Sequence, residues 1–232
     1  MKLFTTLSVM AAVCLAGCAY TTSHPGEPST VVPSGQPPIY DGLISDDQDQ
    51  IVQKAQAFIR ARHPQIDPGF PNIHIRSAEV DGKPDPKILN VLQSLSDHIL
   101  GPKPGAPTWD ADVVVRFQRQ ERSDAAKAAI VVPELVVCFS TIFIVCPTHY
   151  TEEVQLEVHV LMPDGHEAHF VTAGYGDLYE STAALEGDEK NYKDKTIEMN
   201  TGGFVAAVVA AADKLDETYK SMAASAKAPA TN

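Results

Sequence analysis

The chain has 232 residues, and its 30 acidic residues outnumber its 18 lysines and arginines, which gives a formal net charge of −12 at pH 7. Such an acidic chain is poorly suited to bind nucleic acid, because lysine and arginine are needed to neutralise the phosphates. Anionic lipid headgroups would repel it as well, so any membrane attachment should come from something other than basic patches.

The N-terminal stretch carries the ordered features of an exported lipoprotein. Lys2 gives it a positive start, residues 3–15 form an apolar run, and the tetrad Leu15-Ala16-Gly17-Cys18 completes it. The run is too short to cross a bilayer as a stable helix, which needs about 20 apolar residues. The tetrad resembles the bacterial lipobox. This resemblance implies that residues 1–17 are a signal peptide removed before Cys18, and that the Cys18 sulfur carries lipid.

The segment after Cys18 has the composition of a flexible tether. Residues 18–44 are rich in proline, serine and threonine and poor in apolar side chains, so they cannot bury enough surface to offset the entropy of ordering. We expect a disordered tether here, a globular domain over 45–223 and a disordered tail over 224–232. Ala19 is not the aspartate that resembles an inner-membrane retention signal, which favours attachment to the outer membrane, with the domain facing the periplasm.

The periodicity of apolar residues in the globular part predicts alternating helices and strands. The expected elements are helix 46–63, strand 72–80, helix 85–99, strand 111–121, hairpin strands 153–162 and 166–173, and helix 201–222. This order implies an α+β fold, with a mostly antiparallel sheet and helices packed on one face. The order also loosely resembles lipoprotein domains of the curli-assembly and peptidoglycan-synthase-activator type. That resemblance covers element order alone and implies no function.

The hairpin offers the sharpest candidate site. A turn through Pro163-Asp164-Gly165 sets His159 opposite His169, with Glu157 and Glu167 on the same outward face. Two imidazoles and a carboxylate about 5 Å apart could share a metal ion. The simpler interpretation is a solvated polar face, so we assign no metal ligand here.

The apolar stretch 128–147 is interrupted by Pro133-Glu134 and is rich in valine and isoleucine, which favours one or two buried strands. The alternatives are an apolar surface facing a membrane or a partner, and a true membrane span. Cys138 and Cys146 lie within it, eight residues apart. On one helix they would be about 12 Å apart, whereas bridged Cα atoms lie about 4.4–6.8 Å apart, so a disulfide needs a turn between them. A disulfide and two separately buried thiols both remain open.

Residues 174–200 combine charged side chains with tyrosines over a length unusual for a connector, which makes this segment a candidate binding loop. Ordinary surface packing of the tyrosines is the simpler interpretation. The chain has no Gly-x-Ser-x-Gly, no phosphate-binding glycine loop and no Cys-x-x-Cys motif. We therefore expect no catalytic residues and no cofactor. The expected function is that of an envelope lipoprotein that binds a protein: an assembly component, a secretion component or a toxin that it neutralises. The alternative is a metal- or small-ligand-binding lipoprotein that uses the His159/His169 face.

Overall fold

The computed structural model describes residues 20–29, 44–62, 69–80, 82–101, 103–119, 147–181 and 189–227. These residues form β1 (Tyr20–Gly26), α1 (Gln48–Arg62), β2 (Asn72–Val80), β3 (Lys83–Pro84), α2 (Pro86–Leu100), β4 (Thr108–Arg119), β5 (Pro147–Leu161), β6 (Glu167–Ser181) and α3 (Glu189–Lys227).

The six strands form one sheet in the order β1-β6-β5-β4-β2-β3. Neighbours run antiparallel except β2 and β4, which are parallel and are joined through α2. Parallel neighbours need a long crossover connection, and α2 supplies it. The apolar side chains of β2, β4 and β5 point to one face, where they form the core with the helices. The predicted α+β fold is confirmed.

Helix α2 begins and ends where its sequence indicates. Asp85 caps it, because its carboxylate accepts hydrogen bonds from the backbone N–H groups of Lys87 and Ile88. Pro86 occupies the first helical position, where a missing N–H is harmless. Gly101 ends the helix with a positive φ of 69°. Between these ends, apolar residues at helical spacing form the buried face: Ile88, Val91, Leu92 and Leu95.

Helix α3 packs very close to β6 because both contribute small residues at the contact. A Cβ atom added at Gly174 would lie 2.0 Å from the backbone oxygen of Gly203, and one at Gly176 would lie 2.2 Å from a backbone oxygen of α3. Thr172 precedes both glycines on the same strand, and its hydroxyl donates a hydrogen bond to the Ala207 carbonyl at 3.1 Å. The glycines of β6 therefore make room for the helix backbone.

This contact explains why the prediction of a binding loop over 174–200 is wrong. Strand β6 continues to Ser181, and α3 begins at Glu189, well before the expected start at 201. The pair Gly174 and Gly176 interrupts the apolar alternation without interrupting the strand. Helix α3 also extends to Lys227, so the tail expected to be disordered from 224 is helical at its start. Strand β5 likewise begins at Pro147, six residues before the predicted start at 153.

The prediction of a disordered tether over 18–44 is also wrong in part. Residues 20–26 form β1, which pairs antiparallel with β6 from Tyr20↔Tyr179 to Gly26↔Ala173. An edge strand needs little apolar character of its own, since its backbone hydrogen bonds are supplied by the neighbouring strand. The polar sequence of β1 therefore hides its place in the sheet.

The apolar stretch 128–147, except its last residue, lies outside the described residues, as do Cys18, Cys138 and Cys146. Their predicted lipidation and pairing stay predictions. None of the helices in the described part of the chain has the length and apolar character that a membrane crossing requires.

Candidate functional site on the open face of the sheet

The sheet face opposite the helices carries polar side chains from four strands. Because side chains alternate along a strand, the apolar residues of β4 and β5 point to the helices and the intervening residues point away from them. The exposed part of this face is here named the charged face. It consists of His74, Arg76, Asp110, Asp112, Arg116, Glu157, His159, Glu167 and His169.

The predicted hairpin register is confirmed at the centre of the charged face. His159 lies directly opposite His169, and their ring centroids are 6.5 Å apart in an edge-to-face arrangement. Each ring contacts a carboxylate on the other strand: His159 Nε2 lies 3.1 Å from Glu167, and His169 Nε2 lies 3.0 Å from Glu157. The four predicted residues are therefore together, as two crossed histidine–carboxylate pairs.

Glu157 is the most connected residue of this group. Arg116 donates to one of its oxygens at 2.6 Å, while His169 contacts the other at 3.0 Å. The hydrogen bond from Arg116, followed by that from His169, holds the pKa of Glu157 below its ordinary value. Glu157 therefore stays ionised well into the acid range and anchors the pairs around it.

A second ladder of pairs continues the charged face across β4 and β2. Arg76 donates through Nε to Asp112 at 3.2 Å, and Ser77 donates to the same carboxylate at 2.6 Å. The hydrogen bond from Arg76 is the largest cause that lowers the pKa of Asp112. His74 contacts Asp110 at 2.9 Å. Four carboxylates against two arginines leave this surface acidic when its histidines are neutral.

A metal site does not form from these side chains as they stand. Across the described ranges, no three histidine, cysteine, aspartate or glutamate side chains converge as metal ligands. The Nε2 atoms of His159 and His169 bind carboxylates that lie on opposite strands, so the two nitrogens diverge. His149 lies ten residues from His159 along β5, about 33 Å away at the usual rise of a strand. It therefore joins a different group.

That different group, here named the Asp177 cluster, is a set of polar side chains that the sequence interpretation missed. Asp177 on β6 accepts a hydrogen bond from Thr151 at 2.8 Å and lies 3.0 Å from His149 Nε2. His24 of β1 lies 3.6 Å from the second oxygen of Asp177, and Thr22 lies 3.5 Å from it. The cluster thus ties β1, β5 and β6 together by side chains.

Asp177 remains ionised although its side chain is only 9% exposed. Burial would raise its pKa, but hydrogen bonds with His149 and Thr151 outweigh burial and hold the pKa below the ordinary value. The His149 ring also stacks on Tyr179 at 4.1 Å between centroids. The alternation of His149 and Thr151 on one strand is the only sequence signal, and its meaning depends on the pairing with β6.

A buried polar group lies next to this cluster, beneath residues 27–29. Glu153 is fully buried, and one of its oxygens accepts hydrogen bonds from the Ser29 N–H at 2.8 Å and the Gln155 amide at 2.7 Å. Tyr175 donates to the Glu27 carbonyl at 2.6 Å. Burial, followed by the charges of Glu153 and Glu27, raises the pKa of Tyr175 to about 12. The segment after β1 is therefore held on the sheet by polar contacts.

The helix side of the sheet contains an apolar cavity of ≈ 50 Å³ between α2, α3 and the strands. Ile75, Val113 and Leu156 contribute from the sheet, and Leu92 and Val208 contribute from the helices. Pockets that bind small organic ligands usually hold about 300–1,000 Å³. The cavity is a packing void on this scale and offers no room for such a ligand.

Neither a comparison with protein-family models nor a comparison with curated proteins finds a significant match for this chain.

Proposed function

We propose that this protein is a non-catalytic envelope lipoprotein, held on the outer membrane through acylated Cys18, that binds another protein in the periplasm. The order of charge, apolar run and Leu15-Ala16-Gly17-Cys18 supports the anchor and the compartment. Acyl chains contribute about 0.8 kcal/mol per buried CH₂, so two or three chains hold a protein firmly without basic patches.

The charged face is the observation that carries the binding role. Its side chains come from four neighbouring strands and are already ordered by mutual ion pairs, so a partner would immobilise few additional rotamers. Immobilising one flexible side chain at an interface costs about 0.5–1.5 kcal/mol of binding free energy, and side chains that are already ordered do not incur this cost. An acidic, ordered surface suits a protein partner that presents lysine or arginine.

The partner role is tested by photo-crosslinking in cells. Glu167 is exposed on the charged face, and Lys214 is exposed on α3 on the other side of the domain. A benzophenone side chain at position 167 should form a discrete adduct, and one at position 214 should not. Glu157→Lys, which places a positive charge on the charged face, should abolish the adduct, whereas Glu217→Lys, a matched charge reversal on α3, should leave it. The same adducts from both positions, or none, would contradict the proposal.

Zinc titration distinguishes the protein-binding role from the alternative, a metal- or small-ligand-binding lipoprotein. The histidine NMR signals of the charged face should remain unchanged at stoichiometric zinc if the protein-binding role is correct. Shifts confined to His159 and His169 would instead support the metal alternative.

A further inference from the structure

Four strands begin or end at the same end of the sheet. Strand β1 begins at Tyr20, which pairs with Tyr179 near the end of β6. Strand β5 begins at Pro147, which pairs with Ser181. Strand β4 ends at Arg119, which pairs with Glu152 near the start of β5. The first residues of β1 and β5 and the last residues of β4 and β6 therefore share one end of the sheet.

Two features of the sequence that could contact lipid, Cys18 and the apolar stretch 128–147, are both connected to this end of the sheet. Cys18 lies two residues before Tyr20, so its Cα cannot be more than about 7 Å from the first residue of the sheet. The connection from Arg119 to Pro147 also leaves and returns here, and its sequence contains the apolar stretch 128–147. The register of the strands thus brings together two features that are more than 100 residues apart in sequence.

The side chains at this end suit the boundary between lipid and water. Tyr20 is 43% exposed and stands out as an exposed large hydrophobic residue of the described chain. Its ring stacks on Tyr179 at 4.8 Å between centroids, and the His149 ring stacks on the same tyrosine. Aromatic rings with a polar tip are enriched at membrane interfaces, because one end is apolar and the other is hydrated.

We propose that this end of the sheet, centred on Tyr20 and Tyr179, lies against the bilayer that holds the Cys18 lipid. The proposal rests on the lipidation of Cys18 stated above. The strands then point away from the membrane, and His159, twelve residues along β5 from Pro147, stands about 40 Å from it. The charged face is thereby presented to the periplasm at a fixed height by the sheet itself, because β1 takes the place of the first part of the tether.

The orientation is tested with the full acylated chain in vesicles of phosphatidylethanolamine and phosphatidylglycerol, with and without brominated acyl chains. Tyr20→Trp places a fluorophore at the proposed membrane end, and His166→Trp places a matched one at the distal turn. Both are made in the wild-type chain, whose lone tryptophan, Trp109, is buried and supplies a common baseline. Thr22→Trp, exposed on the same strand, is a second reporter if the substitution at position 20 perturbs the fold.

Bromine should remove most of the emission added at position 20 and none of that added at position 166. Equal quenching at both positions, or none at positions 20 and 22, would overturn the orientation. The latter result is also expected if a protein partner, and not lipid, covers this end. Flotation with vesicles is measured first: a chain that fails to float contradicts the lipid anchor, whereas a chain that floats with unquenched tryptophan contradicts the orientation alone.

Discussion

Replacing Gly174 by alanine should force α3 away from the sheet. The added Cβ would lie 2.0 Å from the Gly203 oxygen, 2.4 Å from the Ala207 nitrogen and 2.9 Å from the Ala206 Cβ. Two of these atoms belong to the backbone of a buried helix, so no side chain can rotate to relieve the contact. The helix as a whole, or the strand, has to move.

The size of the effect follows from two opposing terms. Overpacking a close contact costs about 1–3 kcal/mol, and a contact with backbone belongs at the upper end of that range. Alanine also lowers the entropy of the unfolded chain, which returns about 0.4–1 kcal/mol. We expect a net loss of about 2 kcal/mol, which lowers the melting temperature by roughly 4–8 °C for a domain of this size.

Thermal and urea unfolding of the purified domain measure this loss, and Gly202→Ala is the matched control. That glycine also lies in α3, but its added Cβ would meet a side chain and not the helix or sheet backbone: Ser23 Oγ at 2.7 Å, which can rotate away, and Ser23 Cβ at 2.9 Å, which needs a small shift of the edge strand β1. Alanine is favoured over glycine inside a helix by about 1 kcal/mol, which offsets this shift, so the control should lose clearly less stability than Gly174→Ala. Equal melting temperatures for Gly174→Ala and wild type would refute the close packing of α3 on β6.

Further predictions concern the open face. Asp177→Asn should lower stability by about 1–3 kcal/mol, because His149 and Thr151 lose a charged acceptor in a buried site. The pKa of Asp177 is held below its ordinary value of 3.8, so the stability that its carboxylate contributes is present above pH 3.8 and is lost as the pH falls through the lowered pKa. The stability of Asp177→Asn should therefore depend less on pH in this acid range than that of the wild type. Tyr175 should titrate near pH 12, which is seen as a late tyrosine transition in absorbance at alkaline pH. Because its pKa is higher in the folded than in the unfolded state, the free energy of unfolding should fall between pH 10 and 12, by up to about 1.4 kcal/mol per pH unit. Tyr175→Phe should remove both signals. Arg116→Met should cost less than about 1 kcal/mol of stability, since the pair is partly open to solvent, but should raise the pKa of Glu157 measured by NMR.

The hairpin is the part of the fold that the sequence alone predicts well. Pro163-Asp164-Gly165 forms the turn between β5 and β6, and Gly165 adopts the positive φ of 84° that glycine permits. The Met162 N–H donates to the His166 carbonyl at 2.9 Å, which fixes the register. Once the register is fixed, the alternation along each strand dictates which side chains meet. His159 and His169 are therefore correctly placed from local sequence.

The Asp177 cluster could not be predicted in the same way. His149 meets Asp177 only because both strands of the hairpin continue far beyond their apolar parts. Gly174 and Gly176 make β6 resemble a loop in sequence, although they are there to admit a helix that begins later in the chain. His24 joins from a segment whose proline and polar residues conceal an edge strand. Each of these features depends on a contact between distant parts of the chain, which periodicity does not report.

The measurement that tests the account most directly is the intact mass of the protein extracted from native membranes. The account predicts a chain that begins at Cys18 and carries the added mass of a diacylglyceryl group, alone or with an acylated amino group. Loss of this modified species, and of membrane association, in Cys18→Ser would agree with it. A native chain that retains residues 1–17, or one that begins at Cys18 without added mass, would contradict the lipid anchor on which both the compartment and the orientation depend.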